Sequence, residues 1–342
     1  MYIIKYRKVT VMNIVNARTL DINKLSEFWN EYAQSEIVIK KFSPETFSRL
    51  FLEEYTGVKK VALAIVKDDR IIAFAAGSHK AGLDVGYITY VLVDKELRRL
   101  GIGKAMAKAV EDELKQVADT ELKKYEAVFY NPVGLSWIVP GTDGHDHPGI
   151  PGVDMLQGGY IFMKNIGYRD FAYQNSYYRC LEGFEFSEKI KAKMEKAKEH
   201  GLSITYYDKN RHYDLEELFD NLKNPGWKAA IMNNEAKENP LPLLVAEDAS
   251  AGDGRAKVIG FTGPLTVQES GRGYFAGIGV HTDYRTYGLG SALFSSLCSG
   301  LHDMGAEFMT LFTGETNPAR NIYESAGFKV VRCWADMRKE IR

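Results

Sequence analysis

The sequence predicts two copies of one α+β domain, each a mixed sheet with helices packed on it. Three observations carry that expectation: the chain length, a long-range internal repeat, and a recurring order of apolar strands and amphipathic helices. At 342 residues the chain exceeds one ordinary domain and suits two. Hydrophobic residues make up 45% and charged residues 26%, an average globular composition that excludes a disordered, collagen-like or disulfide-stapled chain. Lys and Arg number 44 against 45 Asp and Glu, a formal net charge of -1. Such a chain has no global field to hold nucleic acid or an anionic membrane, so neither is expected as a partner. Cys180, Cys298 and Cys333 are widely spaced and odd in number, and read as reduced thiols in a cytoplasmic protein. The N-terminal stretch MYIIKYRKVTVMNIV carries Lys and Arg inside its apolar run, unlike a signal peptide. The expectation is a soluble protein, monomeric or weakly homodimeric.

The repeat is read residue by residue. GYITYVLVDKELRRLGIGKA (86–105) aligns without a gap to GYFAGIGVHTDYRTYGLGSA (273–292) at a constant offset of 187. Gly86 and Tyr87 match Gly273 and Tyr274, Val93 matches Val280, Arg98 matches Arg285, and Gly101 and Gly103 match Gly288 and Gly290. A second echo, Gly167–Tyr168 against Gly327–Phe328, has an offset of 160, so the first half holds 27 additional residues. Their place is 131–157, rich in Pro and Gly and without period. Its Leu135, Trp137, Ile138, Val139 and Ile150 favour an ordered loop packed onto something.

The elements follow in the same order in both halves. In the first, a strand over Asn13–Arg18 leads to helical stretches around Lys24–Tyr32 and Pro44–Tyr55. VALAIV and RIIAFAAG then form a hairpin across Asp68–Asp69. The Tyr87–Val93 strand follows, then a helix from Gly103 to Val117 with Met106, Val110, Leu114 and Val117 on one face. The second half repeats this with Ser203–Tyr207, a helix from Asp214, LPLLVAED, KVIGFTG, the Tyr274–Val280 strand, and a helix striped by Leu293, Leu297, Leu301 and Met304. SEKIKAKMEKAKEHG is a charged helix closed by Gly201. The expected domains are 1–183 with the 131–157 insertion, a linker helix 184–202, and 203–342.

Strand, Arg-x-x-Gly-x-Gly, helix is a geometry for holding a phosphate. The glycines let backbone approach a ligand closely. The unpaired N–H groups of the first helical turn and the positive end of the helix dipole attract the anion. The dinucleotide fingerprint needs a third glycine, which neither copy has, and no Lys-Ser/Thr pair follows for a P-loop. One copy is weak evidence; two at the same spacing after an apolar strand are strong.

Val-x-x-x-x-Arg-x-x-Gly-x-Gly, with a downstream Tyr-x-x-x-Gly-Phe, resembles the GNAT superfamily of acyl-CoA N-acyltransferases. The resemblance spans residues 13–182 and 203–340, a tandem arrangement similar to that of mycothiol synthase. It implies acetyl-CoA as co-substrate and no metal. The pyrophosphate would lie on Arg285, Tyr287, Gly288, Leu289, Gly290 and Ser291, and in the first half on Arg98, Arg99, Leu100, Gly101, Ile102, Gly103 and Lys104. The pantetheine arm would pair beside Ile278 and Val280, and beside Val91 and Val93, with a strand N–H polarising the thioester carbonyl. The resemblance also assigns Tyr323 as the acid facing the thiolate. Where the family often has an Asn contacting CoA, seven residues before the Tyr, Thr316 stands, and Asn317 follows one position on.

Ala319, Ile322, Tyr323 and Ala326 form one helical face, so Tyr323 also reads as a core residue. In the first half the matching position is Met163, which cannot donate a proton, with Tyr160 three residues earlier. The expectation is therefore chemistry in the second domain, with the first binding CoA or recognising substrate. Glu247, Asp248, Glu269 and His281 are the candidate bases, each also readable as an ordinary solvated residue. His145 and His147 with Asp143 and Asp146 read as a polar turn before a metal site, since a metal needs three or four convergent ligands. A lid over the substrate pocket is a third reading of that loop. The resulting function is acetyl transfer to a small-molecule primary amine. Non-catalytic CoA binding or sensing, and acetylation of a peptide or protein, stand as alternatives.

Overall fold

The computed structural model describes residues 2–6, 9–33, 40–252 and 254–341. Met1, Arg7 and Lys8, which enter the signal-peptide reading, lie outside the described residues. The chain forms two compact units, Met1–Asn175 with Arg332–Arg342, and Ser176–Val331. The last eleven residues, expected with the second domain, thus pack in the first unit.

The first unit begins with β1 (Tyr2–Tyr6), β2 (Val9–Asn16), α1 (Ile22–Ala33) and α2 (Pro44–Phe47), which continues as a π-turn over Ser48–Leu52. Pro44 at the first helical turn and the Ser43 hydroxyl on the Thr46 N–H start α2. Then come β3 (Val58–Lys67), β4 (Arg70–Lys80) and β5 (Val85–Val93). Asp68 and Asp69, at φ 50° and 60°, make the expected tight turn between Lys67 and Arg70. After α3 (Ile102–Val117), β6 (Lys124–Ala127) runs parallel to β5. The insertion forms β7 (Trp137–Ile138) and β8 (Asp146–His147), paired as a hairpin, and β9 (Val153–Asp154). Next are α4 (Gly158–Asn165) and β10 (Arg169–Cys180), which leads into the second unit.

The second unit holds α5 (Glu188–Lys198), β11 (Leu202–Tyr206), β12 (His212–Tyr213), α6 (Leu215–Leu222), α7 (Pro225–Glu235), β13 (Leu244–Asp248) and β14 (Ala256–Thr262). These are followed by β15 (Arg272–Gly273), β16 (Ile278–Val280), α8 (Leu289–Asp303), β17 (Phe308–Gly314), α9 (Arg320–Ser325) and β18 (Lys329–Glu340). The distal part of β18 returns to the first unit, where Met337–Glu340 pair antiparallel with β6 and Trp334–Ala335 pair with β9.

Each core is organised by the helix after the glycine turn. Met106, Val110 and Leu114 of α3 are fully buried on the first sheet, and Gly77 is required beneath them: a Cβ there would stand 2.7 Å from Val110 Cγ1. Leu293, Leu297 and Leu301 of α8 do the same in the second unit. Met304 leaves the expected stripe, because α8 ends at Asp303 and Met304 is its exposed cap. The insertion is ordered around Trp137, which is fully buried, T-stacked on Trp334 at 5.2 Å, and donates its indole N–H to Gly149 O.

One expected strand is broken. In place of a continuous strand over Tyr274–Val280, β15 pairs with β17 as far as Gly273–Met309, and β16 pairs with β14 from Ile278. Between them the chain moves from one neighbour to the other. Thr262 Oγ1 donates to Gly277 O, and the Trp227 indole lies so close that a Cβ on Gly277 would stand 2.7 Å from its nitrogen.

Candidate acyl-CoA sites

After the crossing just described, Ile278–Val280 pairs with β14 on one edge and has no ladder partner on the other among the described residues. The first unit reaches the same result with an intact strand: β5 and β6 pair only through Val85–Lys124, Gly86–Tyr125 and Tyr87–Glu126, while β5 continues to Val93. Val91 and Val93 lie on that unpaired stretch, bonded on the other side to Ala75 and Ala73 of β4. Asn131 wedges the opening, donating to Ile88 O at 3.3 Å and accepting from Ser78 Oγ at 3.1 Å. Each unit therefore carries a central strand with one free edge, which an extended chain of amides can join by backbone hydrogen bonds.

The two strands end in the same turn, atom for atom. Asp94 N donates to Ile72 O and His281 N to Ile259 O, at 2.9 and 2.8 Å. The Asp94 side chain accepts from Glu96 N, and His281 Nδ1 from Asp283 N. Arg98 Nε donates to Val93 O at 3.1 Å, and Arg285 Nε to Val280 O at 3.3 Å. Gly101 and Gly288 hold φ of 81° and 73° at the N-caps of α3 and α8, where neither offers a side chain to the first-turn N–H groups. Gly103 and Gly290 then leave room for α4 and α9: a Cβ would stand 3.2 Å from the Phe162 ring and 3.3 Å from Ile322 Cδ1. The donors of Ile102, Gly103 and Lys104, and of Leu289, Gly290 and Ser291, are thus gathered at the positive end of a helix, as a diphosphate requires. Arg98, Arg99 and Leu100 are exposed beside the first turn, Arg285 is exposed beside the second, and Tyr287 is half-buried.

Tyr323 is buried on α9, 5% exposed, packed between Phe275 of the crossing segment at 5.9 Å and Phe294 of α8 at 4.9 Å. Burial, with the Tyr177 hydroxyl a smaller contributor, pushes its pKa up to about 12. Among the described residues its hydroxyl makes no hydrogen bond. The side chain is a core ring with an uncommitted O–H. Met163 occupies the matching place in the first unit, buried in that core. Tyr160 does not replace it, because its hydroxyl donates to Asp170 at 2.5 Å and accepts from Lys164. Asn317 Oδ1 accepts from Ala319 N, which ties it to the start of α9.

Two of the candidate bases, Glu247 and Asp248, are engaged elsewhere. Glu247 is buried and accepts from Ser203, Arg211 and His212; burial opposes its charge, yet these bonds hold its pKa below the usual range. Asp248 accepts from Tyr284 and Ser250 N, and Glu269 is exposed on the turn before β15. In the insertion, His147 Nδ1 lies 2.8 Å from Gly149 O and Lys40 pairs with Asp146 at 2.6 Å. Among the described residues no group of three His, Cys, Asp or Glu side chains is gathered for a metal. No described helix is long and apolar enough to cross a membrane. A groove of about 330 Å³ lined by Tyr206, Tyr207, Glu235 and residues 240–243 lies apart from the glycine turn.

A mixed sheet with a splayed central strand, a glycine turn and a bare helix N-terminus defines an acyl-CoA-binding fold, here present twice. Comparison with known families agrees. Residues 23–130 match the acetyltransferase (GNAT) family and residues 240–330 match the acetyltransferase (GNAT) domain, together more than half of the chain. The chain belongs to the GNAT acetyltransferase family, with two domains in tandem. Its fold is similar to the GCN5-related glucosamine N-acetyltransferase region of a fungal multi-domain GH3 β-N-acetylglucosaminidase (TM-score 0.63, 15% identity), covering 97% of this chain and 38% of that one. A GCN5-related N-acetyltransferase from Sphaerobacter thermophilus has TM-score 0.58 at 15% identity, covering 97% and 96% of the two chains. A tandem GNAT protein from the clavulanic acid biosynthesis pathway has TM-score 0.57 at 13% identity, covering 96% and 98%. No curated protein matches by sequence.

Sequence reasoning missed the paired caps Asp94 and His281, the Asn131 wedge and the Phe162–Gly103 and Ile322–Gly290 contacts. The two offsets already contained the first and the last: 94 and 281 differ by 187, and 162 and 322 by 160. Asn131 has no counterpart in the repeat that would have drawn attention to it.

Proposed function

We propose that the protein is an acetyl-CoA-dependent N-acetyltransferase of a small-molecule primary amine, with its chemistry in the second unit. The observation that carries this reading is the uncommitted Tyr323 hydroxyl between the crossing segment and α8, where the first unit has Met163. Bound acetyl-CoA supplies an activated thioester: the amine forms a C–N bond, the C–S bond breaks, the amine loses a proton and the sulfur gains one. The first-turn donors of Leu289, Gly290 and Ser291 hold the diphosphate, and the free edge at Ile278–Val280 aligns the arm and offers an N–H to the carbonyl oxygen. Tyr323, with its pKa near 12, stays protonated at working pH. Passing its proton to a thiolate of ordinary pKa would be uphill by about 5 kcal/mol, so it acts as a hydrogen-bond donor to the developing thiolate. With Glu247 and Asp248 held by other partners, the amine proton leaves through water, and holding amine and thioester together provides most of the acceleration. The first unit, with Met163, binds CoA or recognises substrate without turnover.

A thiol-release assay with acetyl-CoA and a panel of primary amines tests this. Turnover on some amines, lowered about tenfold to a hundredfold in kcat by Tyr323→Phe, is the expected result. CoA binding with no turnover on any amine, and no effect of Tyr323→Phe, would leave the non-catalytic CoA-binding reading instead.

A further inference from the structure

The two turns differ in two charges: Arg99 faces Thr286 in the alignment, and a second difference follows the glycines. After the second glycine the first unit has Lys104 and the second has Ser291. In the second unit a lysine arrives from a different part of the chain. Lys193 of α5 lays its stem across Gly288, with Cδ and Cγ 3.0 and 3.4 Å from where a Cβ on that glycine would stand. Its ammonium donates to Ser291 Oγ at 3.3 Å. The neighbouring Lys191 and Lys198 pair with Glu188 and Glu195 at 2.8 and 2.7 Å. Lys193, half-buried, makes no ion pair among the described residues.

That placement is electrostatically unfavourable as it stands. A cation belongs near a helix C-terminus, and at an N-terminus it meets the positive end of the dipole. Here it also meets first-turn N–H groups that their N-cap glycine leaves without a side-chain acceptor. An ammonium with only a neutral hydroxyl for a partner gains most from an anion that faces it and those N–H groups together.

We propose that Lys193 is a phosphate ligand of the second unit. It supplies from α5 the charge that Lys104 supplies from α3 in the first, and makes the helix between the two repeats part of the second binding site. The inference rests on the acyl-CoA reading above and adds a residue to it. Gly288 acquires a second reason to be glycine, since any side chain would displace the lysine stem. Two sources of phosphate, the diphosphate and the 3′-phosphate of CoA, share the required chemistry, and dephospho-CoA distinguishes them.

The test is CoA binding and acetyl-CoA kinetics for the full chain and for Lys193→Gln, Lys193→Arg and a control on the exposed face of the same helix, Lys196→Gln. Lys193→Gln is expected to raise the acetyl-CoA KM about tenfold with kcat little changed, Lys193→Arg to stay within about threefold of the parent, and Lys196→Gln to match it. If the Gln effect persists with dephospho-CoA the ligand is the diphosphate; if it disappears, the 3′-phosphate. Either result supports the assignment. It is overturned if the parent binds CoA and Lys193→Gln binds it equally well or more tightly, or if Lys196→Gln weakens it as much. A parent chain that binds no CoA would instead bring down the acyl-CoA reading on which the assignment rests.

Discussion

Arg98 and Arg285 each turn the guanidinium Nε back onto the last carbonyl of the strand before them, so they shape the turn as well as charge it. A lysine keeps the charge but has no rigid fork to make that bond. Arg285→Lys is therefore expected to weaken CoA binding nearly as much as Arg285→Ala, by about tenfold, and to lower stability by about 1 kcal/mol. Calorimetric titration beside thermal melts reads both, and full rescue by Lys would show that the arginine acts as charge alone. Tyr323 carries a prediction of a different kind. Its folded pKa of about 12 lies above the unfolded value near 10, so above pH 10 the unfolded chain releases the proton first. The stability held at neutral pH by the neutral phenol is lost as pH rises from 10 to 12, at most about 3 kcal/mol. Urea midpoints across that window should fall less steeply for Tyr323→Phe; parallel curves would mean the ring is not sealed. The motif reached Tyr323 and both arginines from sequence. It could not reach Lys193, because nothing local to 193 says that α5 lies against residues 98 positions away.

Elements were legible where a period or a turn signal fixed them, and not where pairing partners decided. The Asp68–Asp69 hairpin, the faces of α3 and α8 and the charged helix near 190 follow from spacing alone. The break between β15 and β16 does not, because which neighbour a strand pairs with depends on Trp227 and Thr262 from distant elements. The destination of the last strand was hidden for the same reason. Its alternating apolar residues fit either sheet, and only the partners on β6 and β9 show that Arg332–Arg342 complete the first unit. Trp334, Ala335 and Met337 are buried there, 0–1% exposed. Trp137→Ala removes the insertion's anchor against Trp334 and is expected to destabilise the first unit by about 3–5 kcal/mol. Hydrogen exchange resolved along the chain should show lost protection in β6, β9 and the distal part of β18, while α8 and β14 stay protected. Uniform loss in both units would mean that they unfold as one.

At the scale of the whole molecule, a net charge of -1 is compatible with two candidate anion-binding turns because the positive potential there is local. The duplication explains why two such turns exist, and under the proposed function the divergence at Met163 and Tyr323 would separate binding from chemistry. All of the turn geometry survives in the first unit: the strand-end bonds, the left-handed Gly101, the bare helix N-terminus and the open edge of β5. Met163 in the place of Tyr323 removes the hydroxyl there. Gly103 has a packing reason of its own beneath the Phe162 ring, but the strand-end bonds, the left-handed Gly101 and the open edge of β5 together fit a second CoA. Two CoA molecules per chain are therefore expected in a calorimetric titration. Gly103→Glu, which drives a carboxylate into the first-turn donors of α3, should reduce the count to one. Tyr323→Phe should leave it at two while slowing turnover. A parent count of one, unchanged by Gly103→Glu, would mean that the first unit keeps the turn as scaffold; loss of all turnover on Gly103→Glu would move the chemistry to the first unit.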